Sequence, residues 1–94
     1  MFIVRETFTA KPGHARELAN IMKEPVSEEL GSDVVVMLDY VTNYNTVVIE
    51  YRVKNLADFE SMTEKMRSAA RGKPPAPYTE LYTVGKRDIF KIVE

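Results

Sequence analysis

The chain has 94 residues, 45% of them hydrophobic and 29% charged, with a net charge of -1 and no cysteine. That is the balance of a soluble globular protein, long enough for one domain over residues 1–94 that buries roughly 65% of its unfolded surface. It excludes disulfides, thiolate catalysis, iron–sulfur clusters and Cys-ligated zinc, and it gives no electrostatic footprint for nucleic acid or an anionic membrane.

The opening MFIVRETFT carries charges too early for a signal-peptide core. No apolar run is long enough to span a bilayer, so the expected location is cytoplasmic. Residues 2–9, FIVRETFT, are rich in β-branched and aromatic types and predict a strand. Pro12 and Gly13 end it, and Pro12 suits a first helical position. Ala15, Leu18, Met22 and Val26 then recur at helical spacing, with Ala19 and Ile21 beside them. Pro25 predicts a kink. Leu30 is still in phase, so a further short turn should end at Gly31.

Residues 33–42, DVVVMLDYVT, predict a second strand, Asn43 to Asn45 a tight hairpin, and residues 46–53, TVVIEYRV, the return strand. Asn55 is placed to cap a second helix, with Asp58 as in a capping box. Leu56, Phe59, Met62, Thr63, Met66 and Ala70 form its apolar stripe, and Gly72 closes it. If Phe59 is fully buried there, Phe59→Ala should cost roughly 3–5 kcal/mol. KPPAP, residues 73–77, predicts a stiff extended connector. YTELYTVGKRDIFKIVE returns to strand character, with Gly85 as a bulge or bend. The order β-α-β-β-α-β predicts an α+β, ferredoxin-like fold: a four-stranded antiparallel sheet with both helices on one face.

Two helices cover one sheet face only. Alternation sends Phe2, Val4, Glu6 and Phe8, Val34, Val36, Leu38 and Tyr40, and Val47, Ile49, Tyr51 and Val53 towards the helices. The other face then holds Ile3, Val35, Met37, Val41 and Val48, with Arg5, Asp39, Glu50 and Arg52 among them. It is too apolar to be left in water and too charged for a plain core. A second copy packed face to face around a polar-lined space accommodates both, so a homodimer through the sheet face is expected.

In its opening strand running into KPGHAREL, in NTVVIEY followed by NLADFESM, and in the closing LYTVGKRDIFKIV, the chain resembles the dimeric α+β barrel superfamily. The resemblance is to its antibiotic-biosynthesis-monooxygenase-like, NIPSNAP-like and stress-responsive barrel families. It implies homodimers whose sheets face each other, sometimes with a small-molecule or haem pocket between sheet and helices. It does not fix a reaction. Haem degraders of that superfamily pair a helix histidine with an asparagine and a tryptophan. This chain has no tryptophan, and its one histidine stands at the start of the first helix, so no cofactor is expected.

The inner-face set Arg5, Asp39, Glu50 and Arg52 is the foremost candidate site. An enclosed Arg–carboxylate cluster binds an anionic substrate or supplies a base; equally, it fixes strand register or dimer pairing as an ion-pair network. Glu6 joins it if the first strand's faces are exchanged. His14 reads as a base or as a helix-edge residue; because nothing well placed to aim it is identifiable, it is expected to be dispensable. Tyr51 and Tyr82 read as substrate-orienting phenols or as core with tied hydroxyls. The basic run RSAARGK reads as a dipole-complementing last turn. One histidine among scattered carboxylates makes no metal site. Two readings of function follow. One is a homodimeric small-molecule binder or enzyme, in the manner of a cofactor-independent monooxygenase. The other is a non-catalytic dimerisation module held by inner ion pairs.

Overall fold

In a computed structural model of the chain, which describes residues 1–30, 33–41, 45–74 and 77–93, the element order is β1 (Phe2–Ala10), α1 (Ala15–Leu30), β2 (Val35–Leu38), β3 (Thr46–Val53), α2 (Leu56–Ala70), a 3-10 turn (Pro77–Glu80) and β4 (Tyr82–Lys91). The strands form one antiparallel sheet in the order β2-β3-β1-β4. This is the ferredoxin-like α+β plan, with the two central strands contributed by the starts of the two βα halves.

Register sets which residues face the helices. Val4 pairs with Tyr51, Glu6 with Ile49 and Phe8 with Val47 across β1 and β3, while Val36 and Leu38 of β2 stand opposite Ile49 and Val47. Val4, Val47 and Ile49 are almost fully buried against Ala15, Leu18, Ala19 and Met22 of α1. Their β-branched side chains suit a pleated, covered surface. The alternation therefore assigns β1, β3 and the Val35–Leu38 stretch of β2 correctly, with Arg5 on the open face and Glu6 on the helix face; Tyr40, expected towards the helices, lies beyond β2 and is 83% exposed.

Several local expectations need correction. Pro12 is not a helical residue. His14 N–H donates to the Lys11 carbonyl at 2.9 Å, and Gly13 has φ +83°, so Pro12 and Gly13 fill the positions that a type II turn favours. His14 then acts as the N-cap, its carbonyl accepting from Leu18 N–H. The helix continues past Pro25 to Leu30; the side chains of 24–30, Val26 and Leu30 among them, and Gly31 at the expected helix end lie outside the described residues. Strand β2 is shorter than the 33–42 expected. Asp39 N–H still donates to the Thr46 carbonyl at 3.0 Å; beyond it the Asp39 Oδ1 accepts from Val41 N–H at 3.3 Å, a local turn that takes the place of further pairing. Residues 42–44 of the expected hairpin, and 75–76 of the connector, lie outside the described residues.

Pro77 to Glu80 form a 3-10 turn instead of extended chain, closed by Leu81 N–H on the Tyr78 carbonyl at 3.0 Å. The bulge lies at Thr83, not Gly85. Thr9 pairs with Val84 and Ala10 with Tyr82, which leaves Thr83 as the extra residue. Gly85 instead makes room for a ring, since a Cβ there would stand 3.3 Å from the edge of Phe8.

The largest departure is α2. Asn55 caps it as expected, its side chain accepting from Asp58 N–H at 2.8 Å, and Gly72 follows with φ +79°. Yet none of its residues is buried. Phe59, Met62 and Thr63 are half-buried, while Leu56, Met66 and Ala70 are exposed. The apolar stripe is real as a sequence pattern, but the helix stands off β1 and β4, with the Arg87 guanidinium 5.2 Å from the Phe59 ring centre.

Candidate functional site

The open face holds only part of the predicted cluster together. Arg5 and Glu50 are direct cross-strand partners, joined from Arg5 Nε to Glu50 Oε2 at 3.0 Å. The Arg5 guanidinium also lies 5.1 Å from the ring centre of Phe90. Asp88 stands opposite Arg5 on β4, with Lys86 Nζ 3.6 Å from its carboxylate. Arg52, opposite Ile3, is exposed. With Asp33, Val35, Glu50 and Tyr51 it lines an open cleft of about 430 Å³ at the β2 edge. Asp39 is apart from both, in a cleft of about 400 Å³ with Ala15, Arg16, Leu38 and Tyr40. Arg5, Glu50 and Arg52 share the open face, while Asp39 lies beyond the end of β2 beside the start of α1, so the four do not converge on one point.

His14 does find a partner. Its Nδ1 stands 2.9 Å from Glu17 Oε2, with both side chains about half exposed. Tyr82 packs edge-on against Phe8, ring centres 4.9 Å apart, and near-parallel to Tyr78 at 6.5 Å. Both rings serve the end of the core.

A third arrangement was not anticipated. Between α2 and β4 lies a cleft of about 480 Å³, lined by Phe59, Glu60, Thr63, Glu64, Arg67 and Arg87. Arg87 stands directly opposite Glu6. Its Nε donates to Glu6 Oε1 at 2.8 Å, and its Nη2 donates to the same oxygen. This pairing accounts for a carboxylate on the helix face, which would otherwise be costly. On the cleft's outer wall Arg67 pairs with Glu64 at 2.8 Å, and the Thr63 hydroxyl donates to the Phe59 carbonyl at 2.8 Å.

Tyr51, on β3, is diagonal to Glu6 across the sheet. It is 5% exposed. Burial pushes its phenol up to about 12, the Glu6 charge adds to the rise, and Arg87 opposes it. The phenol is therefore a neutral O–H donor at any physiological pH. Alternation alone does not give Arg87 its face, because the register of the closing strand shifts at the bulge. The signal was present: an inward carboxylate at Glu6 requires a cation, and Arg87 shares its parity with Gly85 and Ile89.

Among the described residues no group of three or more His, Cys, Asp or Glu is placed to hold a metal ion. His14, the chain's one imidazole, is not among the residues lining the α2–β4 cleft, so it is not placed as an axial ligand for a group bound there. Among the same residues no helix is long and apolar enough to cross a membrane.

Neither a family model nor a curated protein matches the chain. Solved structures do. A NIPSNAP family protein of unknown function from Agrobacterium tumefaciens superposes with a TM-score of 0.80 at 19% identity, over 98% of this chain and 87% of that one. MhuD, in a form with two manganese protoporphyrin IX bound per active site, gives 0.75 at 11% identity over 100% and 96%. An antibiotic biosynthesis monooxygenase gives 0.66 at 13% identity, covering both chains fully. The chain thus has the fold of the NIPSNAP and antibiotic-biosynthesis-monooxygenase-like proteins, the superfamily that its sequence resembles.

Proposed function

We propose that the protein is a homodimer, paired through its open sheet face, that binds a small molecule in the cleft between α2 and β4. The cleft carries the reading. About 480 Å³ is in the range of small-ligand sites, and the cleft combines an aromatic wall with charged groups from α2 and, at Arg87, from a strand of the sheet. Dimerisation is supported by the open face, where Val35, Met37, Val84 and Phe90 are exposed apolar side chains. A four-stranded face supplies about the 800 Å² per partner that specific interfaces commonly bury. Monooxygenase-like chemistry without a cofactor belongs to the same reading and would show as oxygen uptake dependent on the bound molecule.

Native mass spectrometry of protein from its own host tests both halves. The expected species has twice the 10.7 kDa chain mass and carries a small-molecule adduct lost on denaturation. A 10.7 kDa particle at micromolar concentration would remove the dimer. A clean dimer without any adduct, and without amide shifts at Phe59, Thr63 or Arg87 on screening small molecules, would remove the binding site. The alternative, a non-catalytic dimerisation module, is favoured by one observation: Arg5 and Glu50 already satisfy each other on the open face, with Phe90 packed on the arginine.

A further inference from the structure

Strand β4 stands at one edge of the sheet and pairs with β1 alone. The other edge strand, β2, has four residues, whereas β4 has ten. A long, flat edge is a template for a further strand, and proteins usually blunt it with bulges, prolines or short length. The bulge at Thr83 protects only the start of β4. Beyond it Val84 to Phe90 run VGKRDIF, with no proline and no second shift of register. All of these residues except Asp88 are exposed.

The ladder shows which main-chain groups this edge offers. Ile92 N–H donates to the Met1 carbonyl at 3.0 Å, one step beyond the Phe2–Lys91 pair. Bonded and non-bonded pairs alternate along an antiparallel ladder. Val84, Lys86, Asp88 and Phe90 therefore turn their N–H and C=O groups towards β1, and Gly85, Arg87 and Ile89 turn theirs outward. The far side of β1 agrees. Ala10 N–H donates to the Asn45 carbonyl at 2.6 Å, so the even residues of β1 bond to β3 and the odd ones to β4.

A strand added here must bond to the odd residues, and β4 of a second copy fits its own edge. With Arg87 on a two-fold axis, Gly85 bonds to Ile89 of the partner subunit. Lys86 then stands opposite Asp88 of the partner subunit, and Val84 opposite the partner's Phe90. Opposite charges and aromatic–β-branched pairs are favourable across strands, and like charges are not. The neighbouring registers that keep odd residues bonded set Lys86 against itself or Asp88 against itself. In the chosen register the one like-charge pair is Arg87 with its own copy, and each guanidinium is already neutralised by its Glu6.

We propose that β4 pairs edge to edge with β4 of a second copy, antiparallel and with Arg87 on the two-fold axis, joining two four-stranded sheets into one. This goes beyond the face-to-face dimer, because it uses main-chain groups at the edge, with about six hydrogen bonds. Arg87 lines the α2–β4 cleft, so the pairing sets the clefts of the two copies side by side on one face of the joined sheet. The contact is small, and it forms at higher protein concentration than an interface of full size.

Amide hydrogen exchange of the whole protein, followed by NMR over a range of concentrations, reads the pairing residue by residue. Exchange at Gly85, Arg87 and Ile89 should slow at least about 10-fold as concentration rises, while Lys86 and Asp88, already bonded to β1, change little. Val84→Cys and Phe90→Cys proteins, mixed under mild oxidation, should form a disulfide-linked pair, since opposed non-bonded positions lie about 4.5 Å apart. Neither variant alone should do so. Unchanged exchange at Gly85, Arg87 and Ile89 in a protein of dimer mass would overturn the edge pairing and leave the face-to-face dimer standing. Slowing at Val36 and Leu38 in step with β4 would overturn it too, because these are the outward amides of β2 and would place β4 on the partner's β2. Cross-linking no greater in the mixture than in either variant alone would overturn the register and the pairing with it. A 10.7 kDa particle at every concentration would overturn both interfaces.

Discussion

The two helices begin from similar sequence material and end in different roles. Each is amphipathic, with apolar residues three and four apart. Helix α1 presses Ala15, Leu18, Ala19 and Met22 into the sheet, with Leu18 at 0% exposure, whereas α2 buries nothing fully. The difference lies in the surface each meets. Under α1 the sheet offers Val47, Ile49, Val36 and Leu38, small or branched groups over which a helix with two alanines can settle closely. Under α2 the same face presents Glu6 and Arg87, a charged pair that keeps one side open to solvent and holds the helix off. One helix closes the core; the other roofs a cleft.

The sharpest way to break this comparison is to remove one anchor from the closed side. Leu18→Ala should cost about 3 kcal/mol, as for a fully buried leucine, read as a lower urea midpoint. A loss below about 1 kcal/mol would mean that α1 is no better packed than α2.

Next in size is the strip between the helices. Tyr51 holds its proton to about 12 when folded, against about 10 unfolded. Between those values the unfolded chain gives up the proton first, so stability falls as pH rises through that window and is fully present below it. The tyrosine's share of the loss should be roughly 2 to 3 kcal/mol, seen as a shallower alkaline decline in Tyr51→Phe than in the parent. Parallel declines in the two proteins would show that the phenol is not in a dry setting.

On the open side, Phe59→Ala should cost only about 1–2 kcal/mol, less than the 3–5 expected from the stripe alone, because the ring is half-buried. A loss as large as that of Leu18→Ala would place α2 in the core and remove the cleft. Smallest of all, His14→Ala should change stability by no more than about 0.5 kcal/mol, since its one partner, Glu17, is a solvated neighbour. A larger loss, or loss of a co-purified ligand, would turn the start of α1 into a working site.

The sequence carried the architecture because alternation and helical spacing are properties of the buried faces. Val4, Val47 and Ile49 could hardly point anywhere else. It also put Arg5 and Glu50 on the open face, where they pair. It did not convey how far α2 stands from the sheet, since an apolar stripe looks the same whether the surface facing it is aliphatic or charged. Nor did it bring Asp39 and Arg52 to Arg5: Asp39 lies beyond the end of β2, and for Arg52 sharing a face constrains side-chain direction, while position along the strand decides distance. The Glu6–Arg87 pair was legible in principle, through an inward carboxylate needing a cation, but only once β4's register was known. That register depends on the bulge.

The bulge at Thr83 works as a parity switch. Upstream of it, even-numbered residues of β4 face the helices, as Tyr82 does beside Phe8; downstream the odd ones do, as Gly85, Arg87 and Ile89 do. Deleting one residue in this exposed stretch would not simply shorten a loop. It would force a choice between turning the aromatic ring at Tyr82 outward and turning the guanidinium of Arg87 onto the opposite face, where Arg5 already stands. A single-residue gap here, in any alignment of this chain with others of its fold, therefore changes which side of the sheet carries the charge.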